Sequence, residues 1–494
     1  MQLWPPFISL IVTAISVCLM GNMVRPSISG FPSLRRCVLD GLLSGVQFGG
    51  WLALSGAPVL AACLTMALSA CLIIGSNIKL SILGEPMLFC DVVAARSFLQ
   101  NPKFYLFSIP VSGRIALVGG MIALPLLLAV CFSLNPLPHL AGFACLIACV
   151  IALRAIPAAR WAPVPDMPRD IDRLGLPGSL FLYWRRWRDE LASLPETVPV
   201  PPVMGHPARD IVIVVQCESF AVPADLFAGR SAPIPLPDLP GLKRAQAMAS
   251  DWGTLNVSGF GAYTMRTEYG VLFGQEEDAL GFRAYDPFLS ANRDVALSLP
   301  AIMGQAGYEC VFAHPHDLQF YGRSRLMPAC GFTRIIGEDA FTHTPRPDMP
   351  YIEDTALARQ IGQLVSKSTK PTFIYAVTME NHGPWPAPSP DGPKTALAHY
   401  LRHLRNSDRM LGDLMDTLAA SGRSGLLVFF GDHRPSIPGM VTPNDARGTP
   451  YVVIPFDAQG TDRQPRSQAE ALTPAQLHHL ILRDSVSQAG TCIP

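Results

Sequence analysis

Before about residue 160 the chain alternates long charge-free apolar runs with short breaks of Gly, Pro and basic residues. Leu3 to Met20, Leu42 to Leu54, Val59 to Ile74, Ile115 to Leu134 and Leu140 to Ile156 are such runs. A helix crosses the hydrocarbon core with roughly 20 apolar residues, so the pattern predicts about five spans. The Gly56-Ala57-Pro58 break makes the second and third the least distinct pair. The first run has no basic n-region and no small-x-small site at its end, so it is expected to stay as an anchor. Asn77 to Asp91 is amphipathic and reads either as an interfacial segment or as a solvated loop.

After Asp210 the pattern changes to short apolar runs separated by helical stretches, the signature of a mixed, mainly parallel sheet with crossover helices. Ile211 to Gln216, Cys310 to Ala313, Thr372 to Val377, Leu426 to Phe430 and Tyr451 to Ile454 are the expected core strands. Between the two patterns lies a Pro- and Arg-rich stretch with the cluster Trp184-Arg185-Arg186-Trp187-Arg188, typical of a juxtamembrane segment with one short helix. The expected organisation is a transmembrane helical bundle over 1–157, a linker over 158–207 and an α/β catalytic domain over 208–494.

Composition agrees with two unlike halves, with 49% apolar and 15% charged residues overall. Lys plus Arg equals Asp plus Glu at 38 each, and no basic run marks a polyanion groove, which excludes nucleic acid as a partner class. Eight of twelve cysteines, Cys18 through Cys149, sit in or beside apolar runs as small hydrophobes. Cys217, Cys310, Cys330 and Cys492 lack C-x-x-C spacing; Cys310 and Cys330 are one candidate disulfide.

In sheets of this kind ligands lie beyond the carboxyl ends of strands. Glu218 follows the first strand in Cys217-Glu218-Ser219-Phe220, and Asp432 and His433 follow the fourth in Gly431-Asp432-His433-Arg434. Oxygen donors plus one imidazole suit Mn²⁺, Mg²⁺ or Zn²⁺. Thr264, in the Gly-rich turn Gly259 to Thr264, offers a hydroxyl that is either a helix N-cap or a nucleophile. His382, after the third strand, can protonate a leaving alkoxide or hold a phosphate oxygen. His314, His316, Tyr321 and Arg323 follow the second strand, and Arg323 suits a phosphate because a guanidinium forks onto its oxygens.

Taken in order, Glu-Ser-Phe after a strand, Thr before Thr-Glu-Tyr, Phe-Tyr-Gly-Arg, Asn-His-Gly-Pro and Gly-Asp-His resemble the lipoteichoic acid synthase and phosphoglycerol transferase I branch of the sulfatase/alkaline phosphatase superfamily. Lys79, Gly84-Glu85-Pro86 and Asp91 resemble a membrane-region pattern of the same enzymes, which favours a specific role for that loop. The resemblance implies an α/β/α sulfatase-like domain. It also implies that Glu218, Thr264, Asp432 and His433 bind one Mn²⁺-like ion, with Thr264 the nucleophile and Arg323 and His382 on the substrate; Tyr321 stands where relatives often carry Trp. The sulfatase signature, Cys or Ser followed by x-Pro-x-Arg, is missing around Thr264, which speaks against a formylglycine sulfatase.

The expected activity is transfer of phosphoglycerol from phosphatidylglycerol to a periplasmic or surface glycan through a phospho-threonine. The alternatives are a phosphoethanolamine transferase or phosphodiesterase of the same superfamily, and a non-catalytic lipid or glycan sensor. Arg25, Arg35, Arg36, Lys79, Arg96, Lys103 and Arg114 lie in the first and third loops, which positive-inside counting puts in the cytoplasm. With five spans that rule places the catalytic domain inside, whereas the resemblance implies a bacterial inner-membrane protein with this domain facing the periplasm or cell exterior. One miscounted span, expected in the Leu42 to Ile74 region, would change the side for everything after it.

Overall fold

The computed structural model describes residues 4–26, 31–92, 111–195, 205–229, 231–346, 349–385, 395–457 and 468–488. The chain divides into two compact units, Met1–Ala192 and Ser193–Pro494.

The first unit contains α1 (Trp4–Met20), α2 (Leu34–Ser55), α3 (Pro58–Leu83), α4 (Val111–Val130) and α5 (Pro136–Ala155). Four stretches, Pro5–Met23, Leu34–Ser55, Pro58–Leu83 and Pro136–Ala155, are long and apolar enough to cross a membrane, and α4 carries a shorter one at Val118–Val130. Among the described residues four helices are thus long and apolar enough to span, with one shorter apolar helix beside them, against about five expected. α2 and α3, the least distinct pair in the sequence, are separate helices of 22 and 26 residues, so a miscounted span does not lie there; the run in α4 is the one shorter than membrane-crossing length.

Two boundaries differ from the sequence reading. α2 starts well before Leu42 because Arg36 and Asp40, one helical turn apart, form a buried pair at 3.4 Å. Arg36 also donates to the Cys18 carbonyl at 3.1 Å and to Asn22 Oδ1 at 2.9 Å, tying α2 to the end of α1. α3 runs past Ile74 to Leu83 and ends at Gly84, whose φ of 74° closes the helix in the left-handed region. The first part of the expected interfacial segment, Asn77 to Leu83, is thus helix. Beyond it Lys79 pairs with Asp91, which also accepts from the Leu88 amide at 2.7 Å.

α2 and α5 meet at glycines. A Cβ on Gly142 would lie 2.4 Å from the Ala53 amide nitrogen, and one on Gly49 would lie 2.7 Å from that of Leu146. Only a residue without a side chain permits that approach. The expected single linker helix is instead three: Ala158–Trp161, α6 (Met167–Leu174) and α7 (Leu176–Ser193), the last carrying the Trp/Arg cluster.

The second unit is built on an eight-stranded sheet. Its strands are β2 (Ile211–Cys217), β3 (Asp251–Leu255), β4 (Glu309–Ala313), β5 (Arg334–Ile336), β6 (Thr372–Val377), β7 (Gly425–Gly431), β8 (Thr449–Phe456) and β9 (Glu470–Leu472), in the order β5-β4-β6-β2-β7-β8-β3-β9. β8 runs antiparallel to both neighbours and every other pairing is parallel. A separate two-stranded ribbon joins β1 (Gly205–Pro207) to β10 (Val486–Gln488).

All five expected strands are present. β2, β6 and β7 are buried along their whole length, as central parallel strands covered on both faces must be. Alternate residues feed two cores. Ile211, Ile213 and Val215 pack with α8 (Pro240–Met248), α11 (Asp354–Lys367) and α12 (Ala396–Ser421). Val212 and Val214 pack with α9 (Thr264–Phe273), α10 (Arg323–Ala329) and α13 (Pro474–Ser485). Some 39 core residues on one side and 30 on the other make a three-layer α/β/α domain.

The candidate disulfide is not formed. Cys310 and Cys330 are buried free thiols, each pushed up to about 12 by burial, and Cys310 Sγ points at the Pro300 carbonyl at 3.5 Å. Cys492 lies outside the described residues.

Candidate active site

β4, β6, β2 and β7 lie side by side and parallel, so their carboxyl ends open onto one rim. They deliver His314, Thr378, Glu218 and Asp432 there. Gly431 permits the tight turn at the end of β7, since a Cβ on it would lie 2.0 Å from the Phe220 carbonyl oxygen. Ser219 then turns the chain back with a φ of 51°. Its amide donates to Asp432 Oδ1 at 2.8 Å and its hydroxyl to Glu218 Oε1 at 2.8 Å, so one residue holds both carboxylates in place.

Thr264 arrives from the other direction. The Gly261 amide donates to the Arg434 carbonyl at 2.7 Å, pinning the Gly-rich turn beside the end of β7. Tyr263 occupies the N-cap position with a φ of 75°, and Thr264 is the first helical residue of α9. Thr264 therefore follows the cap position, so the helix-capping alternative is not what the residue does. Instead Oγ1 lies 3.3 Å from His433 Nε2. Among the described residues Ser219, Tyr263 and Tyr321 are the non-glycine positions with positive φ, and each is within two residues of Glu218, Thr264 or Arg323. Such conformations cost on the order of 1 kcal/mol each and cluster where geometry is imposed for function.

Ligand atoms of Glu218, Asp432 and His433 all lie within 4.8 Å of one another, and all three side chains are buried. His433 Nδ1 faces the Arg434 carbonyl at 3.2 Å, which as an N–H donor leaves the Nε2 lone pair toward the carboxylates. Nε2 is 3.5 Å from Glu218 Oε1 and 3.6 Å from Asp432 Oδ2. Asp432 Oδ2 is buried without a full hydrogen bond, although the nearby Thr264 hydroxyl favours its ionised form. Burial and the Glu218 carboxylate push Asp432 up to about 7. Burial opposes charge on His433, yet Asp432 and Glu218 outweigh it and lift its pKa above the usual value. Two mutually repelling buried carboxylates, an under-bonded oxygen and an aimed imidazole are a donor set that fits one divalent cation.

A cation must displace protons to enter. With Asp432 pushed up to about 7 and His433 raised as well, apparent affinity for a divalent cation is expected to fall by at least about tenfold per pH unit below 7. Titration calorimetry between about pH 6 and pH 8 in buffers of different ionisation enthalpy would show proton release on binding; a flat affinity would refute it.

The substrate-facing residues gather beside this cluster. Glu218, Thr264, His314, His316, Tyr321, Arg323 and His382 line one cleft. Arg323, however, is not an open fork. Its Nε donates to Glu268 Oε1 at 3.2 Å and its Nη2 to Glu268 Oε2, leaving Nη1, which donates to His314 Nε2 at 3.3 Å. His314 is fully engaged, with Nδ1 toward the Val377 carbonyl at 3.0 Å, and burial and the Arg323 charge hold it neutral. Burial and His382 bring His316 down to about 4. His382 Nδ1 faces the Tyr351 hydroxyl at 3.3 Å, and the Tyr321 ring lies under the Arg323 guanidinium at 5.1 Å.

Glu268, Glu380, Asp354 and His403 have no role in the sequence reading. Glu380 accepts from His403 Nδ1 at 2.8 Å, from Asn406 Nδ2 at 2.6 Å and from the Asp354 amide at 2.7 Å. It thereby fastens the turn after β6 to α11 and α12. That turn holds Thr378, whose Oγ1 accepts from the Glu218 amide at 3.0 Å. Burial and Glu380 raise Asp354 well above the carboxylate range, so the pair holds a proton. The available signal was positional, a carboxylate three residues after an apolar strand.

Apolar helices of membrane-crossing length, a three-layer α/β/α domain and carboxylate and imidazole groups gathered at parallel strand ends define an α/β/α protein with a candidate metal centre and an apolar helical unit. The sulfatase family model matches residues 210–480, and the chain belongs to the sulfatase family. It is 30% identical over 442 residues to the capsular polysaccharide biosynthesis protein RkpI of Rhizobium meliloti (strain 1021), covering 83% of this chain and 79% of the relative. A protein of the same organism named for cyclic beta-1,2-glucan modification is 25% identical over 262 residues, 50% of this chain and 39% of that protein. Among solved structures, the lipooligosaccharide phosphoethanolamine transferase A of Neisseria meningitidis is similar over 99% of this chain and 96% of its own, at a TM-score of 0.53 and 13% identity, a likeness of fold.

Proposed function

We propose that the protein transfers phosphoglycerol from phosphatidylglycerol to a periplasmic or surface glycan, with its catalytic unit on the outer side of a bacterial inner membrane. The observation that carries this reading is the Thr264 hydroxyl, 3.3 Å from His433 Nε2 at the edge of a buried cation-ligand set. Homology to proteins named for capsular polysaccharide biosynthesis and cyclic beta-1,2-glucan modification supports a glycan acceptor.

Glu218, Asp432, His433 and Thr264 would hold the cation, Mn²⁺ in our reading with Mg²⁺ and Zn²⁺ as alternatives, and it would supply positive charge that acidifies the hydroxyl and neutralises phosphoryl oxygens. Thr264 Oγ1 attacks phosphorus in line. The Oγ1–P bond forms as the bond from phosphorus to the diacylglycerol oxygen breaks. The threonine proton passes to solvent, and His382 delivers one proton to the leaving oxygen. An acceptor hydroxyl then attacks the phosphoglycerol-threonine, its proton restores His382, and Thr264 takes a proton back. Arg323, fixed by Glu268, contributes a permanent charge beside the cleft rather than a free fork, and Tyr321 sets its plane.

The test incubates detergent-solubilised protein and Mn²⁺ with head-group-labelled phosphatidylglycerol, then adds a β-1,2-glucan oligosaccharide. Label trapped on Thr264 with release of diacylglycerol, then discharged to the glucan, is the expected result. Labelling by phosphatidylethanolamine instead would move the donor assignment, and labelling by neither lipid would overturn the reading. A reporter fused to the C-terminus that proved cytoplasmic would overturn the orientation.

A further inference from the structure

A cavity of about 320 Å³ lies against α9 on the side away from the cation ligands. The helix itself separates them. Thr264 faces His433, Thr267 donates to the Asp432 carbonyl at 2.7 Å, and Glu268 faces Arg323. Arg266 comes two positions after Thr264, about 200° around the helix, and it lines the cavity with Tyr269 and Gly270.

Arg266 is only 7% exposed, its guanidinium stacks 4.1 Å from the Tyr263 ring centroid and 5.9 Å from that of Tyr285, and its Nε donates to the Tyr285 carbonyl at 3.2 Å. That sandwich fixes the plane of a cation in the wall of the cavity. Around it stand Asn256, Gln275, Glu277 and Asp278 over an apolar floor that includes Leu280. Glu276, also in the lining, is fixed by the Thr473 hydroxyl at 2.8 Å.

The chemistry of this lining selects its ligand class. Three carboxylates against one guanidinium leave a net negative wall, which repels a phosphate or any anionic head group. The density of acceptors and donors is equally unsuited to an acyl chain. A neutral polyol, whose hydroxyls both donate and accept, matches a lining of mixed carboxylate, amide and guanidinium groups. The size is that of a small-ligand site.

We infer that this cavity is a remote subsite for an oligosaccharide acceptor, holding one sugar unit while a later unit of the same chain reaches Thr264 over the N-terminal end of α9. The inference rests on the phosphoglycerol-transfer reading and adds to it a length requirement. A helix is about 10 Å across, so one sugar cannot occupy the cavity and meet the nucleophile together.

The experiment uses the full-length protein in detergent and the triple variant Asn256→Ala, Gln275→Ala, Glu277→Ala, whose side chains lie at the cavity mouth and outside the catalytic cluster. Thermal melting establishes that the variant folds. Three quantities are read: calorimetric affinity for the β-1,2-glucan oligosaccharide used above, the rate of label transfer from phosphatidylglycerol to Thr264, and discharge of that label by the oligosaccharide or by free glucose. The expected result is at least about tenfold weaker oligosaccharide binding and a KM for it raised by a similar factor, equivalent to about 1.4 kcal/mol, with the first half-reaction and discharge to glucose unchanged. Unchanged oligosaccharide affinity in the variant overturns the subsite. If no lipid labels Thr264 in the parent protein, the transfer reading fails, and the calorimetric comparison still decides the subsite by itself.

Discussion

Replacing Thr264 with alanine is expected to remove covalent labelling by phosphatidylglycerol and to lower glycan transfer by roughly four to six powers of ten, the scale on which nucleophile deletions act. The size of the effect follows from the two-step scheme, in which no other hydroxyl substitutes. Ser219 is the nearest candidate, but its hydroxyl already donates to Glu218 Oε1 at 2.8 Å and its backbone is locked at a φ of 51°. The fold should tolerate the change. Tyr263, not Thr264, is the N-cap of α9, and the Thr264 hydroxyl touches only His433 Nε2 and the Asp432 carboxylate, so its loss costs about 1 kcal/mol in stability. Mn²⁺ binding, carried by Glu218, Asp432 and His433, should weaken without disappearing. Thr264→Ser keeps the hydroxyl and should retain labelling. Metal-loaded Thr264→Ala protein with full transfer activity would end the scheme.

How much of this was legible in the sequence depends on where each interaction closes. β2, β6 and β7 were plain, because strands buried on both faces are unbroken apolar runs. β5 and β9, three residues each at the sheet edges, carry no such run, and β3 is broken by Gly253. α2 was cut short at its start because Arg36 and Asp40 read as solvent-facing charges until their pairing is seen. Glu218, Asp432 and His433 were legible because each directly follows an apolar strand. Glu268 and Glu380 were not, because their partners Arg323 and His403 lie 55 and 23 residues away in sequence and meet only once the sheet forms. For the same reason Arg323 read as an open fork when its fork is already closed, and His314 as a substrate contact when both ring nitrogens are engaged.

That closed fork carries the second large effect. Arg323 and Glu268 are 2% and 0% exposed, so neither charge has water to fall back on. Glu268→Gln removes the charge that compensates Arg323, and stranding a buried guanidinium costs about 3–5 kcal/mol. For a domain of this size that lowers the melting temperature by on the order of 10 °C. The double change Glu268→Gln, Arg323→Met removes both charges at similar volume, and should recover most of the loss, because a buried ion pair contributes little net stability over an apolar replacement. Activity should divide differently. Glu268→Gln leaves the cation ligands untouched but frees the Arg323 guanidinium to move toward phosphate, so it should alter KM for the lipid in protein that remains folded. The double variant should melt near the parent yet lose kcat, since the fixed charge beside the cleft is gone. Melting curves of the parent, both single variants and the double variant form a thermodynamic cycle. If Glu268→Gln melts with the parent, the Arg323 charge is balanced elsewhere, and the guanidinium regains the open phosphate-binding fork that its place after β4 first suggested.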